Sequence, residues 1–352
     1  FCPAVSSRAK GRKRFLPFAQ DDREVAVLFG RAARSAGPDS DPRENYEVCV
    51  MTFLNHLING ISLGSVYAII ALGYTMVYGI AKMLNFAHGD VIMVGAYVCF
   101  FASSSFGLPP ILGVLLAMAV CTALGVVIER LAYKPLRQAT SLAVLITAIG
   151  MSYFLQNAAQ LLWTSNPKIF PTFFTVTDRE TGAVKTGISL FEGQLNLSYA
   201  SIVTIAACIV IMIALTLFTS KSKMGKAMRA CSEDKAAAQL MGINVNTTIS
   251  MTFAIGSCLA AIAGVLLCSS YPTLQPTTGS MPGIKAFTAA VFGGIGSIPG
   301  ALLGGILLGV IEILAKAYLS TQLSDAIVFA VLIVVLLVKP AGLLGKLVRE
   351  KV

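Results

Sequence analysis

The stretch MGKAMRACSEDKAAAQLMGINV, Met224 to Val245, decides how this chain is built, because it is a polar, helix-forming segment between two long apolar ones. Upstream, residues 198 to 219 are apolar enough to cross a bilayer, and residues 247 to 270 are so downstream. The segment between them therefore stands outside the membrane as a short helical knob joined to two spans. Basic residues crowd its entrance, with Lys221, Lys223, Lys226 and Arg229, which places this end on the cytoplasmic side.

Working outward, the apolar windows recur. Hydrophobic residues make up 56% and charged residues 12% of 352 positions, too apolar for an ordinary soluble domain. Candidate spans are 54 to 80, 87 to 105, 110 to 131, 140 to 163, 198 to 219, 247 to 270, 286 to 298, 300 to 318 and 324 to 338. The fold class expected is all-α, a polytopic membrane protein of about eight (seven to nine) transmembrane helices with a cytoplasmic coupling helix. Basic residues also mark Lys134 with Arg137, and Lys339, Lys346, Arg349 and Lys351, as cytoplasmic. Alternation then places 164 to 198 outside, with Asn166, Pro167, Pro171, Asp178, Arg179, Glu180 and Gly182 forming a solvated loop large enough to meet an extracytoplasmic partner.

The net charge of +10 is spread over short loops and chain ends, which argues for topology signals and against nucleic-acid binding. Six cysteines (Cys99, Cys121, Cys208, Cys231, Cys258 and Cys268) lie in or beside apolar segments with no CxxC pair, and there are two histidines. Neither a zinc site nor a disulfide framework is expected, and no cofactor.

Residues 1 to 50 differ in kind, with nine Lys or Arg, seven Asp or Glu and no sustained apolar period. They are expected to be a disordered extension, and Met51 directly before the first span suggests an overcalled translation start; a cytosolic arm or targeting peptide is the rival. The membrane domain is expected over 51 to 352, with the polar helical loop at about 221 to 246 and the outer loop at about 164 to 198.

Polar residues in membrane context are few. Asn85, His88 and Asp90 group near the end of the first span, either as a helix junction with Asn85 capping the second span or as part of a pathway or gate. Gly293, Gly294 and Gly296, with Pro299, interrupt a hydrophobic segment, as broken helices do where they line an aqueous route. Glycines separated by three residues, Gly60 and Gly64, Gly300 and Gly304, and Gly305 and Gly309, predict close helix packing. Glu312 lies deep in a span with Lys316 four residues on, spaced for an ion pair, while Glu129 is expected to pair or snorkel beside Arg130. Scarce carboxylates argue against a proton- or sodium-coupled carrier, no phosphate-binding GxxxxGK[ST] loop occurs, and no catalytic set is found.

Five segments in order resemble one family. GISLGSVYAIIALGYTMVYGIAKMLNFAHGD (60 to 90), ERLAYKPLR (129 to 137), LITAIGMSYFLQN (145 to 157), RACSEDKAAAQLMGIN (229 to 244) and MPGIKAFTAAVFGGIGSIPGALLGG (281 to 305) are similar to the shorter permease subunit of high-affinity bacterial ABC importers for branched-chain amino acids. In that family's coupling loop, Glu-Ala-Ala is followed by three residues and Gly; Ala237, Ala238 and Gly242 match, Ala236 replaces the Glu, and Glu233 stands three residues upstream. The resemblance implies a transport subunit without catalytic activity in the bacterial inner membrane. Implied partners are a second homologous permease, two ATP-binding subunits docking on Arg229, Glu233, Ala237, Ala238 and Gly242, and an extracytoplasmic substrate-binding protein. Urea and short-chain amide importers share the architecture and remain an alternative cargo reading, with a self-sufficient carrier or channel behind it and a membrane-bound enzyme third.

Overall fold

A computed structural model describes residues 42–174, 176–177, 184–190 and 195–345. Residues 1–41 of the expected extension, Asp178, Arg179, Glu180 and Gly182 of the outer loop, and Lys346, Arg349 and Lys351 lie outside the described residues. Eleven helices occur among those described: α1 Pro42–Ala81, α2 His88–Ser104, α3 Pro110–Ile128 continued by a π-turn at Glu129–Tyr133, α4 Ser141–Trp163, α5 Tyr199–Lys221, α6 Lys223–Glu233, α7 Lys235–Leu240, α8 Val245–Ser270, α9 Ser280–Gly293, α10 Ile298–Tyr318 and α11 Ser324–Val338. The first helix thus starts at Pro42, inside the stretch expected to be irregular up to residue 50.

Six helices (α1, α3 with its π-turn, α4, α5, α8 and α10) are long and apolar enough to cross a membrane. Two others, α2 with 17 residues and α9 with 14, are shorter because each begins inside the bundle. From Ala81 the chain climbs back through residues 82–87, so that the ring of His88 lies against Gly73, about two turns up α1. On the other side of the bundle the chain leaves α8 at Ser270, pairs β6 (Thr273–Leu274) with β1 (Lys168–Ile169), and re-enters before α9 starts at Ser280. The expected short span 286 to 298 is therefore displaced: the helix covers 280–293, and residues 294–297 form the turn at the α7 end. Gly294 and Gly296 take φ of +104° and +92° there, values that disfavour any side chain.

The outer loop is not plain coil but carries short antiparallel hairpins, β2 (Val176–Thr177) with β3 (Val184–Lys185), and β4 (Gly187–Leu190) with β5 (Leu195–Ser198). Packing centres on α1, which lies along α10, α8, α9 and α5. The glycine pairs explain how: a Cβ on Gly64 would sit 2.7 Å from the Ile306 backbone, one on Gly305 2.5 Å from Ala68 Cα, and one on Gly309 2.2 Å from the Gly64 backbone. Gly60 meets Val310 and Gly304 meets Ala289, so all three pairs pack helix on helix.

Candidate coupling surface and buried polar joint

The knob between α5 and α8 is two helices with a cap at every start. Ser222 Oγ accepts from Gly225 N at 2.8 Å to open α6, Asp234 Oδ1 accepts from Ala236 N at 2.7 Å and Ala237 N at 3.1 Å to open α7, and Asn244 Oδ1 accepts from Thr247 N at 3.1 Å to open α8. At the end of α7, Gly242 N donates to Gln239 O at 3.0 Å and Ile243 N to Ala238 O at 3.0 Å. This paired pattern needs a left-handed residue, and Gly242 supplies it at φ +83°.

The sequence-predicted docking residues do not share one face. Ala237, Gly242, Glu233 and Arg229 are exposed, but Ala238 is buried against the bundle at 4% exposure, so it cannot contribute to an outward small-residue surface. Leu240 and Met241, 89% and 82% exposed, stand there instead. Their signal in the sequence was an apolar pair just before a helix-stopping glycine. Arg229 folds back, its guanidinium donating to Thr219 O at 2.6 and 3.1 Å, and so ties α6 to the end of α5.

Lys235, the first residue of α7, donates to Ala81 O, the end of α1, at 2.8 Å. Burial, then the nearby Arg137 and Lys82 cations, hold its ammonium below the usual lysine range. A further clamp sits beside it. Glu129 is fully buried and accepts from Arg137 on one oxygen and from Ser250 Oγ at 2.7 Å on the other, while Arg137 also donates to Asn246 Oδ1. Snorkelling and ion pairing were expected for Glu129 and Arg130; Glu129 is ion-paired, and its carboxylate faces Arg137 and α8.

Within the bundle, Asn85, His88 and Asp90 are all buried, yet they do not form one cluster. Asn85 does not cap α2, whose N-cap is Ala87; its Oδ1 accepts from Tyr133 OH at 2.9 Å. The His88 ring meets Tyr74 edge-on at 4.6 Å between centroids. Asp90 Oδ1 accepts from Gln156 Nε2 at 2.9 Å, and that amide also donates to Ser280 Oγ at 3.0 Å. One glutamine of α4 thereby links the first turns of α2 and α9. Those helix starts are in close contact, since a Cβ on Gly89 would lie 2.7 Å from Gly279 O. Both helix N-termini bring partial positive charge to this joint, where Asp90 sits in the first turn of α2. His88 Nε2, Asp90 Oδ2 and Thr75 Oγ1 are buried with no hydrogen-bond partner among the described residues.

Gly293 and Gly294 pack the α9–α10 turn on the C-terminal segment, with Leu343 N and Leu344 N donating to Phe292 O and Gly293 O, each at 2.9 Å. These bonds satisfy carbonyls that the helix end leaves open. Of these three glycines, Gly296 has open space where a Cβ would stand. Near the opposite end, Glu312 is held as expected by Lys316, but it also accepts from Lys285 Nζ at 2.8 Å and Tyr67 OH at 2.9 Å, and Lys285 donates to Asp325 Oδ1 at 2.6 Å. Spacing within one helix showed only the first of these partners.

Residues 56–336 match the family described as branched-chain amino acid transport system, permease component. The chain is 48% identical over 313 residues to the high-affinity branched-chain amino acid transport system permease protein LivH of Salmonella typhimurium, an alignment covering 85% of this chain and 98% of the relative. It is 47% identical over 318 residues to LivH of Escherichia coli K12 and 47% identical over 308 residues to BraD of Pseudomonas aeruginosa, with the same two coverages in each case.

Proposed function

The chain belongs to the permease-component family of branched-chain amino acid transport systems, and on that premise we propose that it carries leucine, isoleucine and valine inward as one membrane subunit of an ABC importer. The observation that carries this reading is similarity near one half over almost the whole length of high-affinity branched-chain permeases, which favours that cargo over urea or short amides. We place the protein in the bacterial cytoplasmic membrane, paired with a second homologous permease. Two ATP-binding subunits would dock on α6 and α7, and an extracytoplasmic binding protein would deliver cargo at the opposite end.

The coupling reading is supported by how the knob is anchored. Lys235 ties it to α1, Arg229 to α5, and the Glu129 clamp joins the neighbouring ends of α3 and α8. Movement of α6 and α7 would therefore pull on several helices that pack at the centre of the bundle. Arg229, Glu233, Ala237 and Gly242 are the exposed docking candidates, joined by Leu240 and Met241, with Ala238 seating α7 on the bundle. Gly242→Val would strain the left-handed turn and misplace α7, abolishing uptake while leaving membrane insertion intact.

The buried joint is the proposed gate. Two broken helix starts, an unpartnered histidine nitrogen and an unpartnered carboxylate oxygen supply polar groups that a moving path can hydrate or engage. Asn85, His88 and Asp90 act there, and Gly293, Gly294 and Gly296 let the α9–α10 turn bend. The test is uptake of labelled leucine and labelled urea, with and without ATP, in vesicles holding this chain with its partner permease, ATP-binding subunits and binding protein. ATP-dependent leucine uptake competed by isoleucine and valine is expected; urea uptake alone would change the cargo, and ATP-independent uptake would overturn the motor-driven mechanism.

A further inference from the structure

At the end of the bundle away from α6 and α7 lies a cavity of about 480 Å³ between α1, α5, α8 and α10. None of the sequence-predicted pathway residues lines it. A cleft of this size falls in the range of small-molecule sites, roughly 300 to 1,000 Å³. Its wall is divided by chemistry. Leu63, Val66 and Ile313 contribute apolar side chains to it, and Ser62, Ser201 and Ser270 contribute hydroxyl side chains.

Two further features point to a ligand. The hydroxyl oxygen of Ser270, a lining residue, is buried with no hydrogen-bond partner among the described residues. Lys316 lines the cavity, and its ammonium is paired to Glu312 and to no other group among the described residues, which leaves it donors for an anion. No Asp or Glu is among the described residues that line it. A carboxylate therefore finds a cation here, whereas a cationic side chain finds no counter-ion and an anionic one would face the apolar wall.

We propose that this cavity receives a neutral α-amino acid with an apolar side chain, its carboxylate toward Lys316 and its side chain against Leu63, Val66 and Ile313. The proposal rests on the transport reading above and adds to it a cargo site within one permease subunit. Hydroxyls of Ser62 and Ser270 would accept from the α-ammonium. Leucine, isoleucine and valine fit this description; lysine and glutamate do not.

The experiment is cysteine protection in the assembled transporter. Ser201→Cys places a thiol on the cavity wall, and a membrane-impermeant thiol reagent is applied from the side opposite α6 and α7, with the unsubstituted chain as the blank for its own cysteines. Leucine at about ten times its Kd should slow labelling about tenfold, while lysine and glutamate should not. Ser269→Cys, on the same cavity, repeats the measurement if Ser201→Cys is not recovered folded. Ala317→Phe should remove the protection, since it fills the lining from α10, while partner-driven ATP hydrolysis persists. Leucine uptake by the Ser201→Cys transporter with labelling unaffected by leucine would overturn the cavity and leave the transport reading standing. Absence of leucine uptake by the unsubstituted transporter would instead overturn the transport reading, and the cavity assignment with it.

Discussion

Helices α1 and α4 are nearly equal in hydropathy, yet 94% of the apolar window of α1 is buried inside the protein against 22% of that of α4. Hydropathy puts a helix into the bilayer and says little about its neighbours, because lipid tails are as apolar as a leucine side chain. What draws α1 inward is its small residues. Gly60, Gly64 and Ala68 let α10 approach to backbone contact, while α4 turns Leu142, Ile146, Tyr153, Phe154, Leu161 and Leu162 outward. A polar tether adds to the meagre packing of α4, through Gln156 on Asp90 and Ser280.

The contrast breaks first at the seam. Gly305→Leu would drive a side chain into the Ala68 backbone and should cost about 4 kcal/mol or more, seen as loss of monodisperse folded protein in detergent. An unchanged melting temperature would show that the α1–α10 contact is not the organising one. Next comes Glu312→Ala, which leaves Lys285 with Asp325 alone and Tyr67 without its acceptor, expected to cost about 3 kcal/mol by thermal unfolding.

Gln156→Leu tests the tether and should cost about 1 to 2 kcal/mol, because Asp90 then loses the amide donor of Gln156. Loss of uptake beyond that explained by protein level would tie the joint to the transport cycle. Last is Tyr153→Ala on the outward face of α4, expected within about 0.5 kcal/mol for the isolated permease. The same change destabilising the assembled transporter would identify this face as covered by another subunit, and the comparison would then be between contacts within one chain and contacts between chains.

Much of the site was legible for one reason: local signals are short-range. The stops and starts around α7 follow from Ser222, Asp234, Gly242 and Asn244, each acting within three to five residues. The Glu312–Lys316 pair was legible for the same reason, as a one-turn spacing. Lys285, Asp325 and Tyr67 were not, since they reach Glu312 from other helices. One of the two readings of Asn85 had it cap a helix; its side chain instead receives the hydroxyl of Tyr133, 48 residues away.

By itself the sequence determined that this chain crosses a membrane many times, that a capped polar knob interrupts it, and which family it resembles. Composition, apolar run length and motif order carry that information without any contact being known. Only the tertiary structure decided that α2 and α9 start inside the bundle, that Ala238 faces inward while Leu240 and Met241 face out, and that serines of α1, α5 and α8 meet Lys316 around one cavity. Those outcomes depend on which helix lies beside which. In a bilayer that choice is made by close packing and buried hydrogen bonds between residues far apart in the chain, for which no periodic signal exists.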